Sequence, residues 1–455
     1  MSEAQEQSQA SPLHAEGLSH DLIRFIHRSP TPYHAVAECA RRLDAAGFRQ
    51  LSRPDYWSLS PGERAYATFD DSTLVAFHVG VKSPTEAGFR IVGAHTDSPT
   101  LKLKSIPETR KHGYRQIGVE VYGGALLSTW FDRDLSLAGR VMVKTGEGAQ
   151  STRLIDFGRP VARIPSLAIH LNREVNREGL KINPQDHLAP LLGMASSSTP
   201  DPVAAFRAML AEQAQVAVED VLDHDLMLYD TQAPTLGGLD EAFIYAARLD
   251  NLASCHAAMT ALLATSSAEA WSRPAEATRV IALYDNEEVG SRSARGAQGP
   301  FLETVLQRII ECRSTDTRQA FPRAMASSFF TSVDMAHGVH PNYADRHDGN
   351  HLPSLGGGPV IKANANQSYA TDSAAAARFT AACRAAGFEP QRFVSRADMP
   401  CGSTIGPITA ARLGIQAVDV GSPMLSMHSC REMAGAADVA KMHDALVGML
   451  TMPFV

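Results

Sequence analysis

Metal-type and proton-carrying side chains stand close together at five places: His95-Thr96-Asp97, Asp250-Asn251, Glu287-Glu288, Asp334 and His428. Imidazole nitrogens and carboxylate oxygens are ligands that zinc takes, and a catalytic zinc keeps one position free for water. Two metals close together need a shared ligand, which one carboxylate provides with its two oxygens. Two His, one bridging Asp and two further carboxylates complete such a pair. Three carboxylates also offset most of the four positive charges of two Zn²⁺ and leave a Lewis-acidic site. The neighbours Glu287 and Glu288 can divide labour, one holding metal while the other faces the attacking water as general base. Asp97, two residues after His95, is placed to orient that imidazole.

Each residue has an ordinary structural role as well. A Glu-Glu pair after a strand is commonly a solvated loop, and Asp250 ahead of an apolar helical run can be an N-cap. The sequence has 17 histidines, most of which need bind nothing. What strains the ordinary explanation is the elements that carry these residues. Strands are expected over Phe89 to Ala94, Val280 to Tyr284, Phe329 to Val333 and Gln416 to Val420, each running into one of the stretches above. Asn251 to Thr265 reads as a helix with Leu252, Cys255, Met259 and Leu262 on one face, and Pro32 to Ala46 reads as another, begun by Thr31 and ended by Gly47. Strands alternating with helices predict an α/β fold with a largely parallel sheet, and such sheets bind ligands beyond the C-terminal ends of their strands.

Between Pro107 and Ala242 the pattern changes. Leu135, Leu137, Val141 and Val143 alternate with Ser136, Ala138, Arg140 and Met142, a half-buried strand, and Gly123-Gly124 and Gly146-Glu147-Gly148 supply turns. This predicts a β-rich domain over 107–243 inserted between two parts of a catalytic domain, 1–106 and 244–455. Ala195 to Pro202 reads as a mobile loop and the first dozen residues as disordered.

The 455 residues exceed the usual span of one core, and a balance of 44% apolar to 20% charged is that of an ordinary globular chain. A net charge of −7 argues against nucleic-acid binding and requires a local cation for any acidic substrate. No membrane-spanning run or secretory signal is evident, and six scattered cysteines suit reduced thiols, so a cytoplasmic protein is expected. Gly356-Gly357-Gly358 lacks the ending of a phosphate loop, and no Gly-x-Ser-x-Gly elbow is present.

At these residues the sequence resembles the aspartyl aminopeptidase family of zinc exopeptidases. The matching stretches include Gly93 to Pro99, Gly123-Gly124 with Thr129 to Leu135, Ile164 to Leu171, Arg248 to Asn251, Asp285 to Ser291, Ser332 to His337, Gly358 to Lys362 and Met424 to Ser429. They follow the family's order over almost the whole chain. The resemblance implies a three-layer α/β/α zinc-exopeptidase domain interrupted by a β-rich dimerisation domain, and a tetrahedral homododecamer built from dimers. It implies two zinc ions per subunit, one on His95, Asp250 and Asp334 and the other on Asp250, Glu288 and His428, with Glu287 as general base; Mn²⁺ or Co²⁺ can substitute in such oxygen-rich sites. It also implies that His170 enters a neighbouring subunit's site to meet the oxyanion, and that His337, Lys362 and Tyr369 contact substrate. The expected substrates are small peptides with Asp or Glu at a free N-terminus. From the residues alone, Lys362 is equally an ordinary surface lysine, and His340, His347 and His351 are a solvated loop or a third metal site. Two rival functions are a two-zinc amidohydrolase with another pocket and a metal-stabilised shell without activity.

Overall fold

The computed structural model describes residues 15–195, 201–271, 275–314 and 318–453. The first dozen residues and positions 196–200 of the expected loop lie outside the described residues; Asp201 and Pro202 begin a helix, Pro202–Ala214.

A nine-stranded sheet forms the centre. Its middle strands, Thr278–Tyr284, Phe89–His95, Phe329–Val333 and Gln416–Gly421, are mutually parallel and adjacent in that order. They are the strands read from the sequence, with ends shifted by at most two residues. The flanks are mixed: Thr73–His78 and Val360–Lys362 both join this parallel centre antiparallel.

Alternation across the sheet explains the layers. Val280, Ala282 and Tyr284 pack into one apolar cluster, whereas Ile281 and Leu283 pack into another. Phe89 and Ile91 join the first, and Val92 and Ala94 the second. A sheet apolar on both faces must be covered on both. Helices Ala15–His27, Pro32–Ala45, Leu249–Thr265, Ser373–Ala385 and Ala436–Thr451 cover one side. Phe301–Arg313, Ala320–Ala326 and Ile405–Leu413 cover the other, which makes the α/β/α arrangement. In Leu249–Thr265, all four residues of the expected apolar face are buried. Thr31 holds the N-cap position of Pro32–Ala45, but its hydroxyl pairs with His34 Nδ1 at 2.8 Å instead of capping a backbone N–H.

A separate six-stranded antiparallel sheet runs Gln150–Asp156, Leu135–Lys144, Val221–Asp230, Thr100–Lys111, Tyr114–Tyr122, Leu191–Met194. Leu135, Leu137, Val141 and Val143 are fully buried in its core with Phe206 and Leu210 of the Pro202–Ala214 helix. Position 107 falls inside the strand Thr100–Lys111, so this sheet begins before the expected boundary. Phe243–Ala246 instead enters a five-stranded sheet, beside Glu432–Gly435, with Ala246 opposite Glu432. Among the described residues no helix is long and apolar enough to cross a membrane, and all six cysteines are free.

Candidate metal centre

The parallel strands deliver His95, Asp285-Asn286-Glu287-Glu288 and Asp334 at their C-terminal ends, and Asp250 arrives in the first turn of Leu249–Thr265. His428 comes from the loop between Pro423–Leu425 and Glu432–Gly435. These segments converge. His95 Nε2 lies 3.4 Å from Asp250 Oδ1 and 3.4 Å from Asp334 Oδ1. His428 Nε2 lies 3.5 Å from Asp250 Oδ2 and 3.4 Å from Glu288 Oε2. Asp250 therefore turns one oxygen to each group. It is not an N-cap: Arg248 holds that position, and Asp250 Oδ1 is buried without a hydrogen bond.

The spacing suits a metal better than hydrogen bonding. Tetrahedral bonds of about 2.1 Å put ligand atoms about 3.4 Å apart. Ligand atoms of His95, Asp250 and Glu288 also lie within 4.8 Å of one another. Glu288 Oε1 is a second buried oxygen with no partner. The electrostatics agree. Burial disfavours a charged His95, yet Asp250, Asp334 and Asp97 hold its pKa well above the ordinary imidazole value. Burial pushes Glu287 up to about 8, with Asp334 and Asp97 adding to it against the pull of His95. Burial and Asp250 raise Glu288 well above the carboxylate range. So much negative charge taken out of water calls for a cation.

Surrounding groups fix these side chains. His95 Nδ1 donates to the Asp97 carbonyl at 3.0 Å, nearer than the Asp97 carboxylate at 3.4 Å, leaving Nε2 free as a ligand atom. The Asp97 carboxylate is engaged mainly elsewhere. It accepts the backbone N–H groups of Glu287 and Glu288, both at 3.1 Å, and the Tyr122 hydroxyl at 2.7 Å. On the other side His428 Nδ1 donates to the Gly124 carbonyl at 3.1 Å. Gly123-Gly124 is thus more than a turn. At Gly123, φ is +70° and an added Cβ would meet Glu288 Cβ at 3.0 Å; at Gly124 it would meet His428 Nδ1 at 3.2 Å. Only glycine lets the backbone approach both side chains this closely.

Lys362 is not at the surface. It is 2% exposed, with Nζ donating to the carbonyls of Asp334 at 2.9 Å and Met335 at 3.2 Å, and 3.5 Å from Asp334 Oδ2. Its ammonium sits 5.2 Å from the centre of the buried Tyr369 ring. His337 packs edge-on against Phe393, which shares an apolar cluster with Tyr369. His340 meets the Tyr343 ring at a tilt, His347 lies edge-on to Phe393, and His351 bonds Asp348 at 2.6 Å. Among the described residues, those three histidines join no metal-type cluster. His170 lies on an exposed turn, Ile169–Leu171, and among the described residues no hydrogen bond or ion pair joins it to the converging group of its own chain.

Sequence reading missed Tyr122 and Glu432. Glu432 is 2% exposed and accepts N–H groups from Asp250 at 3.1 Å and His428 at 2.7 Å. Burial and Asp250 push its carboxyl up to about 8. Its signal was an acid four residues beyond a candidate ligand histidine.

Two converging imidazoles, one of them buried, with carboxylates at the C-terminal edge of a covered parallel sheet form a site suited to a metal-dependent hydrolase. The family model for aminopeptidase I zinc metalloproteases, M18, matches residues 25–449, and the chain belongs to this family of zinc aminopeptidases. It is 50% identical over 433 residues to a probable M18 family aminopeptidase 2 of Pseudomonas aeruginosa, covering 94% of this chain and 97% of that one. The fold matches a chain in the cryo-EM structure of the Ape4 and Nbr1 complex with a TM-score of 0.92 and 38% identity, over 96% of this chain and 86% of that one. It also matches the mApe1 dodecamer of S. cerevisiae, with a TM-score of 0.83 and 30% identity over 95% of this chain and 96% of that one.

Proposed function

We propose that this M18 aminopeptidase removes Asp and Glu from the free N-termini of peptides, using two zinc ions per subunit. The observation that supports the specificity is Lys362, a buried ammonium 3.5 Å from Asp334 Oδ2 and 5.2 Å from the centre of the Tyr369 ring. A lysine costs free energy to bury, and an anionic side chain is the substrate group that rewards it. Of its three polar contacts, the 3.5 Å one to Asp334 Oδ2 is the longest, and a substrate carboxylate would replace that one. The two-ion reading is supported by the divided Asp250 carboxylate: His95 and Asp334 complete one side, Glu288 and His428 the other. Mn²⁺ or Co²⁺ would fit the same donors.

Zinc held there supplies Lewis acidity to the scissile carbonyl and brings water nearer ionisation at neutral pH. Glu287, fixed through its backbone by Asp97, takes the proton of the attacking water and delivers it to the departing amine. Glu288, its neighbour, faces His428 as a ligand. The test is a set of initial rates on free and N-acetylated dipeptides beginning with Asp, Glu, Ala or Leu, with and without chelator. Release of Asp or Glu from free dipeptides only, abolished by chelator, is expected. Chelator-sensitive release of Ala or Leu at equal rates would remove the acidic preference.

The exposed turn at His170 carries Leu167, Ile169 and Leu171, at 61%, 46% and 74% exposure. Such a run of apolar groups favours coverage by a second copy of the chain, and a relative assembles as a dodecamer. His170 then serves the neighbouring site by stabilising the oxyanion. Mixed oligomers of inactive Glu287→Gln and inactive His170→Phe subunits are expected to regain activity, read as turnover after co-refolding. No recovery would place His170 outside the reaction. Free thiols throughout favour a cytoplasmic enzyme.

A further inference from the structure

We infer that Glu432 is a positioning residue that locks the bridging ligand Asp250 and the ligand His428 into one register, so that the ion between them depends on it. The inference rests on the two-ion reading above.

Glu432 stands first in the strand Glu432–Gly435, opposite Ala246, whose strand leads directly into Arg248 and Asp250. Backwards along the chain, the same residue is four positions from His428. It is therefore the fixed point between two segments that reach the site from opposite directions. One carboxylate oxygen, Oε2, accepts the N–H of Asp250, and the other, Oε1, accepts the N–H of His428. With both oxygens holding backbone groups, Glu432 acts on the ligands through their main chains.

Packing does not account for a carboxylate here. Glu432 is 2% exposed, and Asp250, itself anionic, is in direct contact. Burial and like-charge repulsion both oppose it. The two hydrogen bonds favour it, and they are made only if Asp250 and His428 stand at one fixed separation. The two ligands need that constraint. His428 lies in a loop with a positive φ of 66° and keeps 29% side-chain exposure, while His95 is enclosed at 1%. On the opposite edge of the site Asp97 does the same work, its two oxygens holding the N–H groups of Glu287 and Glu288. Two carboxylates thus bind backbone around the site: Glu432 holds Asp250 and His428, and Asp97 holds Glu287 and Glu288.

Glutamine at 432 keeps the shape but offers one acceptor oxygen, and its amide NH₂ would face the second N–H. One of the two restraints is lost. The experiment is equilibrium zinc titration against a competing chelator for the wild type, Glu432→Gln, His428→Ala and the double variant. Thermal unfolding of each chelator-stripped protein is measured alongside. Glu432→Gln is expected to weaken one ion by about 10- to 100-fold, the magnitude typical of groups behind metal ligands, and to weaken the other less, since both share Asp250 but only the first also depends on His428. The weakened ion should be the one lost in His428→Ala, and the double variant should bind no worse than His428→Ala alone, because the two changes act on one unit. Additive losses, unchanged affinity, or equal weakening of both ions together with a lower apo melting temperature would overturn the assignment. A wild-type chain that takes up one ion would overturn the two-ion reading instead. Glu432 is then judged by the same cycle on that ion: non-additivity with His428 sustains it and additivity rejects it.

Discussion

Glu287→Gln should retain its zinc and its assembly while losing about 10³- to 10⁴-fold in kcat, the upper part of the range for a group that both takes and returns a proton. The substitution is isosteric, and the backbone N–H of residue 287 keeps its hydrogen bond to Asp97 Oδ1, so the loop holds its place. What disappears is the basic oxygen, now 3.9 Å from His95 Nε2. Glu288→Gln sets the contrast. Its oxygen faces His428 at 3.4 Å, so the variant should lose metal before it loses anything else. Steady-state rates with zinc content measured on the same samples separate the two. If Glu287→Gln kept activity within tenfold of wild type, the proton would have to travel through another group.

Lys362→Met should change specificity more than activity. Removing one partner of a buried charge pair costs about 3–5 kcal/mol, so kcat/KM for Asp and Glu substrates should fall about 10²- to 10⁴-fold further than for Ala substrates. Some loss on every substrate is also expected, because the carbonyls of Asp334 and Met335 lose their donor and Asp334 loses the ammonium 3.5 Å from its Oδ2. The ratio between substrates removes that common loss. Equal losses on acidic and neutral substrates would mean that Lys362 only braces Asp334.

The sequence was most readable where periodicity and chemistry coincide. Strands such as Phe89–His95 are apolar on both faces and run directly into His95, so their existence, their burial and the side on which the site lies follow from one pattern. Lys362 was not readable from its neighbours. Val360-Ile361 announces a strand, but whether the next residue turns to solvent or into the molecule is decided by Gln416–Gly421 beside it and Tyr369 beneath it. The role of Gly123-Gly124 was half legible. Two glycines signal a turn, but the reason for them is the closeness of Glu288 and His428, which are remote in sequence. Glu432 escaped because its chemistry is directed at backbone N–H groups, which every residue possesses and no motif marks. The Asp97 carboxylate was assigned to His95 by proximity in sequence, whereas its shortest bond, 2.7 Å, is to Tyr122.

The hydrogen bonds of Tyr122 and Gly124 have a consequence for how the enzyme comes into being. Gly124 meets His428 across 304 positions, and Tyr122 meets Asn286 across 164. Contacts this remote require long intervening loops to be closed, at a cost in chain entropy. The ligand set is therefore complete only when the turn at Gly123-Gly124 is docked against His428, because that contact fixes the imidazole through Nδ1. A site closed by such remote contacts couples the placing of its ligands to the docking of the six-stranded sheet on the central one.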